Sequence, residues 1–157
     1  MIYRPDQEAI LQAVLGELWD ESRAAELAAE VAQTEARANI NDAFAWHNLG
    51  SSLVAVGRYQ EAANAFDRAR TLNLPWRILW YQFGVFEAYY QMARYDDIIA
   101  LANSNLNSSP ELEESYYWRG MAYAAQGMTA EATSDFRTAL RYNPNFLAAS
   151  VALDEIQ

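Results

Sequence analysis

A chain of 157 residues with 52% apolar side chains and a formal net charge of -10 can bury one core of ordinary size, and its surface repels phosphate backbones and anionic membranes, so neither nucleic acid nor a bilayer is an expected partner. All eleven positive charges are arginines and there is no cysteine, which excludes a lysine Schiff base, a lysine phosphate clamp, disulfides, thiolate metal sites and thiol nucleophiles. No run approaches the ~18 apolar residues of a membrane span, and Met1 to Glu8 lacks the basic and apolar regions of a signal peptide, so the default expectation is a soluble, cytoplasmic chain of unassigned compartment.

Taken in chain order, residues 5–18 carry Ile10, Val14, Leu15 and Leu18 at helical spacing and predict a first helix. Residues 22–38 are alanine-rich and favour helix by propensity; they read as the second helix of a worn repeat, and residues 1–42 as N-terminal helices plus a degenerate half repeat. From residue 43 the chain repeats itself. A first unit, residues 43–76, contains Trp46, Leu49, Gly50, Gly57, Tyr59, Ala62, Phe66, Ala69 and Pro75. A third, residues 113–146, contains Tyr116, Gly120, Tyr123, Gly127, Ala132, Phe136, Ala139 and Pro144. The offsets from Gly50 to Gly57, Ala62, Phe66 and Ala69 are 7, 12, 16 and 19, and those from Gly120 to Gly127, Ala132, Phe136 and Ala139 are the same.

The middle unit, residues 77–112, is more degenerate. Anchored on Tyr95 as the match to Tyr59, it supplies Tyr89, Ala93, Ile98, Ala102 and Pro110; an anchor on Trp80, Phe83 and Gly84 shifts its first helix by two residues. That helix is expected to be long, from about Trp76 to Met92. Residues 147–157 read as a capping helix, with Phe146, Leu147, Val151 and Leu153 facing back onto the last repeat, because a solenoid otherwise leaves its terminal apolar face wet.

The spacing has a physical logic. Each unit is two antiparallel helices. Small residues such as Gly50, Ala62 and Ala69 sit at close crossings, and Trp46, Tyr59 and Phe66 fill the space beside them. Gly57 and Gly127 fit turns that need a positive φ. Pro75, Pro110 and Pro144 help to stop second helices. Asp42, Ser109 and Asn143 precede helical runs and are candidate N-caps.

The series Trp46-x-x-Leu49-Gly50, Ala62, Phe66, Ala69 and Pro75 resembles the tetratricopeptide repeat (TPR), and the resemblance covers roughly residues 43–146. It implies an all-α fold: a TPR-type α-α superhelix, a right-handed solenoid of antiparallel helix pairs, about nine helices in all, with a concave inner groove. It also implies a non-catalytic scaffold that binds a peptide or protein segment. The middle unit departs from the family at Phe86 and Ala102, where a small and a large residue are usual. A weaker resemblance links Pro75-Trp76-Arg77, Trp80 to Gly84, and Arg141 to Phe146 to tails of bacterial proteins in which a papain-like cysteine peptidase domain of the bacteriocin-leader type precedes the repeats. It implies one domain of a longer protein that positions substrate for an enzyme elsewhere in the gene.

No catalytic, metal or cofactor site is expected. His47 is the only histidine, too few for a triad or a metal cluster, and reads as a surface or groove contact. Adjacent carboxylates such as Asp96-Asp97 and Glu113-Glu114 diverge by about 100° on a helix and read as solvated faces or N-terminal helix charges. The aromatic residues are too many for one buried stripe. By the family pattern Trp80, Phe83, Glu87 and Tyr90, with Tyr117, Trp118 and Met121, project to the concave side beside His47 and Asn48, and these are the candidate peptide-binding residues. Three readings are open for them: a ligand groove, packing between repeats, and a homodimer surface. Carboxylate capture of the kind used by TPR domains that hold chaperone C-termini is not expected, since Asn48 matches but the lysines are missing.

Overall fold

A computed structural model describes residues 21–75, 78 and 82–156; the expected helix over residues 5–18 and the candidate Trp80 lie outside them. Among the described residues there are eight helices and no strand: α1 (Glu21–Ala38), α2 (Ala43–Ala55), α3 (Tyr59–Thr71), α4 (Gly84–Gln91), α5 (Tyr95–Ser108), α6 (Glu113–Ala125), α7 (Thr129–Tyr142) and α8 (Leu147–Glu155). Each helix packs on its neighbour in sequence, and α2 also touches α4 while α6 touches α8. First helices thus stack on first helices, which is the connectivity of an α-α superhelix.

Three antiparallel pairs, α2/α3, α4/α5 and α6/α7, carry the repeats. In the outer two, a glycine of the first helix seats a ring of the second. A Cβ at Gly50 would lie 2.7 Å from Phe66, and one at Gly120 would lie 2.7 Å from Phe136. The two phenyl rings are buried, each stabilising by about 1.5–3 kcal/mol. Phe86 and Ala102 stand at the matching positions of the middle pair, again sixteen residues apart, and both are fully buried. The large and small members are exchanged between the helices, so the pair keeps its summed volume.

The turns repeat as well. Gly57 and Gly127 have φ of 72° and 77°, and the equivalent Ala93 has φ of 54°. The middle unit therefore keeps the left-handed turn without glycine. Second helices end at Thr71, Ser108 and Tyr142, ahead of the three prolines.

Several expectations need correction. The first helix of the middle pair is short: Gln82 and Phe83 precede it outside helix, and α4 is the eight residues Gly84–Gln91, not Trp76 to Met92. Asp42 caps α2, its Oδ1 accepting from Phe44 N at 2.8 Å. Ser109 instead closes α5, and Asn143 accepts from Asn145 N at 3.2 Å, three residues ahead of the Phe146 cap of α8. On α8, Phe146 and Leu153 face the last pair, but Leu147 and Val151 are 74% and 48% exposed. Ala149 and Ala152 make the contact instead, because small residues let α8 lie close.

Charged groups pin the joints. Arg94 bridges Asp67 at 2.6 Å and Asp97 at 2.7 Å, its guanidinium lying 4.1 Å from the Tyr89 ring centroid. Tyr89 donates to Asp67 Oδ1 at 2.6 Å and accepts from Arg70 at 3.0 Å. Burial, then the bond to Asp67, pushes the Tyr89 phenol up to about 12. Burial alone would raise the Asp67 carboxyl, but hydrogen bonds from Arg94 and Tyr89 outweigh it and hold the pKa low. One pair on, Arg119 grips Asp135 through two bonds of 2.7 and 2.8 Å and reaches Asn103.

Candidate functional site: an aromatic face on the first helices

The rings of α4 and α6 form one chain of contacts. Phe83 stacks on Phe86 at 6.3 Å, and Phe86 stacks on Trp118 at 6.2 Å. Trp118 meets Tyr90 at 6.2 Å and Tyr117 at 5.3 Å. Tyr117 continues to Phe146 at 5.2 Å and Phe136 at 6.1 Å. Phe86 and Tyr90 lie one turn apart on α4, so the Trp118 indole bridges both and joins α4 to α6. Edge and offset contacts of this kind contribute about 0.5–1.5 kcal/mol each beyond burial.

Burial separates anchors from surface. Phe86 and Phe136 are in the core; Phe83, Tyr90, Tyr117, Trp118 and Met121 are half-buried, each packed on one side against a core cluster. Glu87 is half-buried on the same helix, and its Oε1 accepts from Tyr59 Oη at 3.3 Å. Asn48 is exposed. Of the nine candidates, then, the structure brings Phe83, Tyr90, Tyr117 and Trp118 into one set of contacting rings through Phe86, with Glu87 beside Tyr90 on α4.

His47 does not join them. It is 2% exposed, its ring edge-on to Phe66 at 5.3 Å, and its Nε2 is buried without a hydrogen-bond partner. Burial holds its pKa below the ordinary value of 6.5. It is a core residue in this structure, not a surface contact. The aromatic character of Phe66 satisfies the ring but leaves one nitrogen stranded.

Two further rings belong to the face, and one carboxylate acts on it from α8. Tyr95, at the start of α5, meets Tyr90 edge-on at 5.6 Å. Phe146, at the start of α8, supports Tyr117. Glu155, in the last turn of α8, acts electrostatically on both Tyr90 and Tyr117, whose phenols are raised first by burial and then by neighbouring charge. The TPR-like spacing places Tyr95 as a turn anchor, and nothing in the spacing signals Glu155. Among the described residues no group of three histidine, aspartate or glutamate side chains is placed to hold a metal ion, and no described helix is long and apolar enough to cross a membrane.

Residues 43–74 and 113–146, the α2/α3 and α6/α7 units, match the tetratricopeptide repeat family. Both segments resemble a tetratricopeptide repeat. Repeats of this kind typically mediate protein-protein interaction. Among curated proteins the chain is similar to aryl-hydrocarbon-interacting protein-like 1 of Bos taurus, 24% identical over 119 residues, 66% of this chain and 36% of that protein. The Pan paniscus protein matches at the same identity across 31% of its length, so the chain spans about a third of these relatives. Among solved structures, MamA from Desulfovibrio magneticus RS-1 superposes with a TM-score of 0.74 at 19% identity, covering 94% of this chain and 82% of that one. YrrB, described as a TPR protein with an unusual peptide-binding site, superposes at 0.69 with 18% identity, covering 90% and 72%. The first TPR domain of human RPAP3 superposes at 0.63 with 21% identity over 73% of this chain and 88% of its own. At these identities the likeness establishes the TPR superhelix alone. The expected kinship with peptidase-linked tails finds no support among these proteins.

Proposed function

We propose that this chain is a non-catalytic interaction module that binds a peptide or protein segment along the concave face of its first helices. The observation that carries the reading is the set of half-exposed rings Tyr90, Trp118 and Tyr117 in contact with one another, joined to Phe83 through the buried Phe86. A ring buried on one side by its own core and open on the other is rigid before binding, so little side-chain entropy is lost when a partner covers it. Trp and Tyr in such settings dominate interface energetics. Met121 adds an adaptable apolar contact at the α8 end. The peptide-binding site named for YrrB supports the reading by analogy of fold.

The test is a random peptide display library panned on the full chain, followed by fluorescence titration of the recovered peptides. Trp118→Ala, checked for retained helix by circular dichroism, is expected to weaken them about tenfold or more, as for a hot-spot aromatic. Asn48→Arg, at the exposed position of α2 that the repeat interval from Gly50 to Gly120 matches to Trp118, is a second variant that does not touch the core. Recovered peptides that bind both variants as well as the parent would overturn the proposal.

A further inference from the structure

We infer that the segment this face selects is basic, with a cationic side chain seated on the Tyr90, Trp118 and Tyr117 rings between Glu87 and Glu155. The inference rests on the groove reading above and adds the partner's chemistry to it. Its first support is geometric. The Trp118 plane is inclined 59° to Tyr90 and 66° to Tyr117, so the three rings do not close into one flat stack. Each is only half-buried. Cations favour the face of Trp and Tyr rings.

The second support is charge. Glu155 acts on both Tyr90 and Tyr117 from the α8 side. Glu87 lies three residues before Tyr90, on the same side of α4. Neither carboxylate forms an ion pair among the described residues. Four described arginines are engaged elsewhere: Arg58 with Glu61, Arg70 with Tyr89, Arg94 with Asp67 and Asp97, and Arg119 with Asp135. The face thus combines ring quadrupoles and two carboxylates that no arginine pairs with among the described residues, in a chain whose net charge is -10. An acidic or phosphorylated segment would meet only repulsion there. A neutral apolar one would cover the rings and desolvate two carboxylates without bringing them a counter-charge, Glu87 keeping only its bond from Tyr59. An arginine or lysine lays its apolar stem along the rings and brings its charge to the carboxylates.

The same display library separates this inference from the reading beneath it. Recovered sequences are expected to carry arginine or lysine among apolar residues. Replacing that residue by glutamine in a synthetic peptide is expected to weaken binding about tenfold, and raising salt is expected to weaken the parent peptide more than the glutamine peptide. The Glu87→Gln, Glu155→Gln double variant is expected to lose about the same factor toward the parent peptide and nothing further toward the glutamine peptide, the non-additivity expected of directly interacting partners. Neutral or acidic peptides that depend on Trp118 overturn the cation inference and leave the groove standing, as does a double variant that binds the basic peptide undiminished. Peptides indifferent to Trp118→Ala and Asn48→Arg remove the groove, and the inference goes with it.

Discussion

The Phe86 ring lies nearly parallel to the Trp118 indole, 9° apart at 6.2 Å, and reaches it from the helix position that glycine holds in both flanking pairs. The exchange of sizes between Phe86 and Ala102 therefore does two things. It keeps the middle pair filled, and it sends the ring of the first helix toward the next repeat. Phe86→Gly is expected to cost at least the ~3–5 kcal/mol of a buried Phe truncation, and Ala102→Phe alone about 1–3 kcal/mol by overpacking. The double variant Phe86→Gly, Ala102→Phe restores the arrangement of the outer pairs and is expected to fall short of the summed costs by about 0.5–3 kcal/mol, the coupling of residues in contact. Urea denaturation followed by circular dichroism reads all of them, and strict additivity would refute the exchange.

The turn at Ala93 offers a gain. Its φ of 54° is left-handed, costly for a residue with a Cβ. Ala93→Gly is expected to stabilise by about 0.5–1 kcal/mol. Gly57→Ala and Gly127→Ala are expected to destabilise by about 1 kcal/mol, purely through the backbone, because a Cβ at either place meets nothing within 4 Å. Thermal melts of the three variants check the signs.

Ion pairs in this fold are unequal. Arg119 and Asp135 are 19% and 7% exposed in their side chains, against 36% and 50% for Arg58 and Glu61. Asp135→Asn strands a partly buried guanidinium and is expected to cost about 3 kcal/mol. Arg58→Gln breaks an exposed pair held by solvent-screened charge, and its denaturation midpoint is expected to stay put.

His47 gives the fold an acid sensitivity. Its folded pKa lies below the ordinary 6.5 because burial disfavours the charged ring. Below that value the unfolded chain takes up a proton that the folded chain resists, so stability is full above about pH 6.5 and falls as pH drops through the window down to the folded pKa. His47→Leu is expected to remove this dependence below about pH 6.5, leaving only the carboxylate contribution. Parallel slopes for parent and variant would show that His47 does not titrate on unfolding.

Much of this was written in the chain. Gly50, Phe66, Gly120 and Phe136 repeat at one spacing because a ring needs a seat, and that spacing is a property of helix geometry. Tyr95 as the match to Tyr59 set the register of the middle pair correctly. The start of α4 was not legible: helical periodicity runs back through Phe83, yet Gly84 marks where the helix begins. His47 misled because one position on the inner side of a first helix holds Phe83 in one pair and Tyr117 in another. In the first pair the smaller ring is wholly covered beside Phe66, whereas Phe83 and Tyr117 stay half-buried. Leu147 and Val151 look like core residues at helical spacing, but α8 docks through alanine. Glu155 joins the aromatic face only through the fold, since it follows Tyr90 by more than sixty residues.

The most direct measurement is residue-resolved NMR of the full chain titrated with a recovered basic peptide. Shift changes concentrated at Phe83, Glu87, Tyr90, Tyr117, Trp118 and Met121, with α3, α5 and α7 largely still, are the predicted result. Changes centred on the outer surfaces of those second helices, or on the exposed Leu147 and Val151 of α8, would contradict the account.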